Sequence, residues 1–245
     1  MKPGGASAVT APGGASAATA PGGASEMSAL GLAQLQRLLM SVNGVSAAPV
    51  ADFLLDSDER ARLAPDSSPD EALLVLDGGE HLHVGLFLDD SVLAQLAIPA
   101  AAPWTHERLS GFCAAAEGVS HFLYLAHRAQ QDGRVSQLEL EAQGELDKYL
   151  SVLLQLWAVG RQRTSPGLRD RLFHRASLRA GLTAPERDRY RLANTLAAAC
   201  AKALEARYVL TGRLEALLRE VRRLYRLSGG EKLSALSQGQ AAWAA

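Results

Sequence analysis

The chain has 245 residues, of which 48% are hydrophobic, 21% charged and only 5% aromatic, with a formal net charge of −1. That balance suits a globular protein burying one sizeable core or two small ones. It excludes a disulfide framework or a thiolate zinc site, because Cys113 and Cys200 stand alone, and no apolar run reaches the roughly 18 residues of a membrane span.

The small net charge conceals a division by position. Residues 1–150 carry 8 Lys+Arg against 19 Asp+Glu, whereas residues 151–245 carry 17 against 7. Clustered charge attracts its opposite over roughly 8 to 10 Å at ordinary salt. Leu and Ala dominate the apolar set and favour helix. The expected fold class is therefore α+β and predominantly helical, a helical bundle with one β-hairpin.

Residues 1–26 read as a disordered low-complexity N-terminus. Pro-Gly-Gly-Ala-Ser recurs from Pro3, Pro12 and Pro21, and such a segment has nothing to bury. The same repeat permits a second reading, in which translation starts at Met27 rather than Met1. Residues 27–237 are expected to form a single helical domain, and 238–245 a frayed C-terminus.

Within that domain Leu32, Leu35, Leu38, Leu39 and Val42 recur at helical spacing before Asn43-Gly44, a pair that ends helices. Asp52 to Leu55 is expected to start a further helical turn, and 64–70 to be a loop broken by Pro65 and Pro69. The one β signal lies at about 72–88, where Leu73–Leu76 and His81–Leu88 flank Asp77-Gly78-Gly79-Glu80. A lone hairpin is marginal in water, so it needs helices or a further strand.

From Trp104 the pattern turns helical, with Leu109, Phe112, Ala116, Val119, Leu123 and Ala126 in one stripe, and Asp132-Gly133 ends it. Ser136 with Glu139 forms a capping box for the next helix, and Val135 with Leu140 a hydrophobic staple. The short connection predicts a helical hairpin over 105–160. Thr164-Ser165-Pro166-Gly167 is expected to break the chain. Thr183 and Glu186 then cap a helix that Gly212 interrupts, and Leu217, Val221 and Leu224 mark a last one stopping at Gly229-Gly230.

Chemistry-bearing motifs are sparse. Leu227-Ser228-Gly229-Gly230-Glu231 resembles the signature loop of ABC-type ATPases over five residues, but the phosphate-cradling GxxxxGK[ST] is absent. The string reads as a helix end and a new turn. GxSxG is also absent, so no hydrolase elbow is indicated. His81 and His83 share a strand face without a third ligand. Glu117 with His121, and Glu141 with Glu145, sit four apart on their helices, and facing pairs of this kind can hold a metal. They are the candidate centre of a metal-dependent enzyme.

The arginines supply the other candidates. Arg161, Arg163, Arg169, Arg171, Arg175 and Arg179 cluster with Asp170 as the only acid among them, and guanidinium groups at this density can bind phosphates or carboxylates. Acids interleave with the further arginines of the helices that follow. The leading expectation is a cytoplasmic, non-enzymatic interaction protein with oppositely charged surfaces, partnered by another protein or a second copy of the chain, without cofactor or membrane. The alternatives are nucleic-acid or polyanion binding by the arginine-rich half and the metal-dependent enzyme.

Overall fold

The computed structural model describes residues 9–10, 24–65, 70–77, 82–99, 101–131, 133–175 and 181–241. Helices dominate, as the composition requires, with one small sheet. The chain divides into two compact units, the first comprising 1–41 and 45–134, the second 42–44 and 135–245. Among the described residues no helix is long and apolar enough to cross a membrane.

The first unit is built on the predicted hairpin. Strand β3 (Glu71–Asp77) runs antiparallel to β4 (Leu82–Leu88), with Leu74 opposite Gly85. The further strands that a hairpin needs lie on the other edge of β4. They are β1 (Val9–Thr10) and β2 (Leu54–Leu55), both parallel to β4. Residues 52–55 thus depart from the expected helical turn. Val50–Phe53 forms a 3-10 turn, and Leu54 and Leu55 then pair with Leu86 and Phe87.

Four helices complete this unit. Helix α1 (Ala24–Asn43) buries Leu32, Leu35 and Leu39, and Gly44 ends it at φ 67°, as the sequence predicts. Gln36 holds the following loop, its amide donating to the Ala48 carbonyl (2.7 Å) and its oxygen accepting from the Val50 amide (2.9 Å). Helices α2 (Ser57–Leu63) and α3 (Asp90–Leu96) escape the sequence reading, although Asp56 and Asp89 cap them. Helix α4 (His106–Ala129) is capped by Thr105 and buried nearly all round. Phe122 meets Phe53 with ring centroids 4.8 Å apart.

Two glycines permit close approach in this unit. A Cβ on Gly118 of α4 would lie 2.8 Å from Leu86 Cδ1, and one on Gly31 of α1 would fall on the Leu96 carbonyl oxygen. A leucine tip can turn away; a backbone carbonyl in a helix cannot.

Among its described residues the second unit has helices and no strand. Helix α5 (Gln137–Ala158) and helix α7 (Ala184–Leu204) carry the two predicted capping boxes, Ser136 with Glu139 and Thr183 with Glu186. Between them the expected break is itself helical. A 3-10 turn at Gln162–Thr164 leads into α6 (Ser165–Arg169), where Pro166 occupies the first turn and costs no hydrogen bond. A π-helical turn at Asp170–His174 follows, and a second one, Glu205–Val209, extends α7.

Helix α8 (Leu214–Arg226) turns Leu217, Val221, Leu224 and Tyr225 inward. The new turn read at the glycine pair is a full helix, α9 (Gly229–Ala241), which follows the helix expected to be the last. Only Gly229 takes a left-handed φ, 53°, and the chain re-enters a helix at once.

Replacing Gly31 by Ala is expected to cost about 1–3 kcal/mol, since the added methyl must move backbone. Gly167→Ala, with nothing within 4 Å of the new carbon, is expected to be neutral or to stabilise by up to about 1 kcal/mol. Urea unfolding of both variants checks the contrast, and equal midpoints would refute the close approach of α1 to α3.

Candidate functional site

In the second unit the positions of the acids decide what the arginines can do. Glu139, Glu141, Asp147 and Glu205 are all buried, with Asp147 at 0% exposure. Removing a carboxylate from water is costly unless hydrogen bonds and counter-charges replace the lost solvation.

Asp147, Glu205 and Glu139 each meet this demand. Asp147 accepts from the Asn43 side-chain amide at 3.2 Å through both oxygens. Glu205, which opens the π-turn after α7, accepts from the Tyr149 hydroxyl (3.4 Å) and lies 3.6 Å from Arg169 Nε. Burial, and then the negative Glu205, push the Tyr149 phenol well above its ordinary range. Tyr149 therefore stays a neutral donor.

Glu139 does two jobs at once. One oxygen, Oε2, accepts from the Ser136 amide and hydroxyl at 3.0 and 2.9 Å, closing the capping box of α5. The other, Oε1, accepts from the Gly229 amide at 2.6 Å, at the start of α9. Burial opposes its charge, yet the bonds from Ser136 and Gly229 and the nearby Lys232 outweigh that penalty and hold the carboxyl below its usual range. Lys232 is itself fully buried. Its ammonium donates to Gln143 Oε1 (2.7 Å) and the Leu224 carbonyl (3.4 Å), over the ring of Tyr225 (5.3 Å).

With these acids inside, the solvent face is basic. Arg161, Arg163, Arg175, Arg187, Arg191, Arg207, Arg213, Arg219, Arg223 and Arg226 are exposed, together with Lys202. The exposed acids among the described residues of this unit are Asp188, Glu215 and Glu231. Arg219, Arg223 and Arg226 follow at spacings of four and three, so they form one stripe on α8 opposite its apolar face. Arg223 is held there by Glu220 through two bonds of 2.9 and 2.7 Å.

Of the six arginines singled out from sequence, Arg161 and Arg163 are exposed around the 3-10 turn. Arg175 is exposed and bonds Asp170 at 2.8 Å. Arg171 is half-buried in the π-turn, and Arg169 is turned inward onto Glu205. Arg179 lies outside the described residues. The sequence reading missed the burial of the acids, although α5 carried a signal. Glu139, Glu141 and Asp147 sit on a helix whose apolar stripe, Ala142, Leu146, Tyr149 and Leu153, is flanked on its two sides by Leu150 and Val152, so that a wide arc of it is buried.

The four metal candidates fall in different units. Glu117 and His121 stand one turn apart on α4, the histidine buried; Glu141 and Glu145 stand one turn apart on α5, with Glu145 bonded to Lys148 at 2.8 Å. His83 is exposed on β4, and His81 lies outside the described residues.

A cavity of about 90 Å³ opens on Cys200, lined by Leu204, Arg207, Glu220, Arg223 and Leu224 among others. Burial, and then the Glu220 carboxylate, push the Cys200 thiol up to about 12. Burial thus favours the neutral thiol over a thiolate nucleophile there. The first unit has the opposite surface. Glu26, Asp52, Asp56, Asp58, Asp70, Asp90 and Glu107 are exposed against Arg37, Arg62 and Arg134, while Arg108 and Arg128 are buried.

The depressed Glu139 carboxyl makes the second unit acid-sensitive. Its contribution to stability is full above the ordinary glutamate value of about 4.3 and is lost as pH falls through the lowered one. Glu139→Gln is expected to flatten the urea midpoint between about pH 5 and pH 2.5 relative to the unaltered chain. Parallel curves would show that the carboxylate carries no such charge-dependent stabilisation.

No protein-family model, curated protein or solved structure matches this chain.

Proposed function

We propose that this chain is a non-enzymatic interaction protein of the cytoplasm, engaging other macromolecules through two solvent faces of opposite charge. The observation that supports this reading is the sorting of charge by burial. In the second unit Glu139, Glu141, Asp147 and Glu205 are withdrawn from solvent, leaving among the described residues ten exposed arginines and Lys202 against three exposed acids and the half-buried Glu145, Asp170, Glu186 and Glu220. Among the described residues of the first unit Arg108 and Arg128 are withdrawn, leaving seven exposed acids against three exposed arginines.

The physical consequence is a field on each unit stronger than its formal charge implies. Such fields raise association rates and select partners by sign, while screening by salt weakens them. The occupant proposed for the arginine face is an acidic protein surface, to which planar guanidinium groups can bind carboxylates in pairs. The two cysteines form no disulfide, which supports a reducing compartment.

The experiment is a titration of the full-length chain with poly-L-glutamate and, separately, with a single-stranded DNA 20-mer. Affinity for polyglutamate is expected to fall at least about tenfold between 50 and 500 mM salt, because the contacts are screened charges. Arg219→Glu with Arg226→Glu, both exposed on α8, should lower it by a further factor of about ten (1.4 kcal/mol) without changing the melting temperature. Binding that ignores salt and both substitutions would defeat the reading. Selective binding of the DNA would transfer the arginine face to the polyanion alternative.

A further inference from the structure

The sheet of the first unit ends on β3. Among the described residues this strand pairs with β4 alone, and from Ala72 to Asp77 its other edge faces no further described strand. Its sequence from Glu71 to Asp77, Glu-Ala-Leu-Leu-Val-Leu-Asp, contains no proline, lysine or arginine. Proline and charge, lysine above all, ordinarily keep an edge strand from recruiting another chain, and here the charges are confined to the acids at the two ends. Ala72, Leu73 and Leu74 are half-buried, and Val75 is 43% exposed. With five apolar residues between its terminal acids, the strand is long enough for a typical added strand.

Charge says what can occupy it. The strand starts beside an acidic corner, where Asp89 donates its backbone amide to the Asp70 carbonyl at 2.8 Å. Asp70 and Asp90 are exposed there. The Asp89 carboxylate accepts from the Ser91 hydroxyl and amide at 2.5 and 2.9 Å, and these bonds hold it in the charged form. A second copy of β3 fits this edge poorly. Antiparallel pairing about Leu74 sets position 71 against position 77, both acids, and parallel pairing sets each acid beside its own copy. Like charges directly opposite destabilise a sheet.

We infer that the outer edge of β3 is a docking site for an extended segment of another protein, apolar in its alternating positions and carrying Lys or Arg at its ends, which joins the sheet as an added strand. Main-chain bonds supply the affinity and the acidic corner supplies the selection. The site concerns the first unit and stands apart from the arginine face of the second.

The probe is a pair of blocked peptides, Lys-Thr-Val-Thr-Val-Thr-Lys and Glu-Thr-Val-Thr-Val-Thr-Glu, titrated against the full-length chain at about 50 mM salt, where exposed charges are weakly screened. The basic peptide is expected to bind at least tenfold more tightly and to slow hydrogen exchange of amides in residues 71–77. Val75→Lys, at an exposed position, is expected to abolish both effects without changing the melting temperature, and Arg219→Glu with Arg226→Glu to leave both intact. Equal binding of the two peptides, protection confined to other residues, or unchanged binding by Val75→Lys would overturn the proposal. So would protection of 71–77 in the free chain that rises with protein concentration alongside a dimer mass, since the occupant would then be a second copy.

Discussion

Charge taken into the interior of the second unit has to be answered there, and Glu139 is where that demand is met most fully. Its two oxygens serve the amides of Ser136 and Gly229, and Lys232 lies close enough to add its field. Each partner is itself committed by the arrangement. The Ser136 bond starts α5, the Gly229 bond starts α9, and the Lys232 ammonium is spent on Gln143 and the Leu224 carbonyl. Removing the carboxylate would leave an amide and a buried cation with diminished compensation, which is far costlier than losing a surface pair.

The same demand shapes the outside of the molecule. An acid that satisfies an interior amide or tyrosine no longer offsets an arginine on the surface. Glu205 takes Arg169 and Tyr149 inward with it, and Asp147 takes Asn43. What stays in water is predominantly guanidinium. In the first unit Arg108 and Arg128 are turned inward, Arg108 stacked 4.2 Å from Trp104 and donating to the Ala102 and Pro103 carbonyls. The charge division in the sequence is thus increased by folding, in opposite directions in the two units.

Local chemistry was legible where it is written within four residues. The capping boxes of α5 and α7, the glycine after α1 and the alternation of β4 all appear in the structure as the sequence implies. Helix α2 carries the same kind of signal, Asp56 with Glu59, but only seven residues follow and their periodicity is too short to register. Pro166 misled because a proline in the first turn lets a helix start instead of breaking the chain, whereas the new turn read after Gly229-Gly230 grows into the full helix α9. The candidate arginines show the other limit. Arg169 and Glu205 are 36 positions apart, and nothing local separates Arg169 from Arg163. Only packing turns one inward and leaves the other in water.

The bond between Glu139 and Gly229 also spans the order of synthesis. Its two residues are 90 positions apart, so during translation the carboxylate that begins α5 waits for most of the second unit to be made before it receives its second donor. The first unit, by contrast, has all its own segments once residue 134 has emerged. Chains fold by units as they leave the ribosome, amino end first. A nascent form of this protein therefore passes through a stage with a finished sheet-bearing unit and an unfinished helical one, whose acids are still in water beside its arginines. The basic surface of the mature chain is consequently a late product of folding, completed only when the last helix docks.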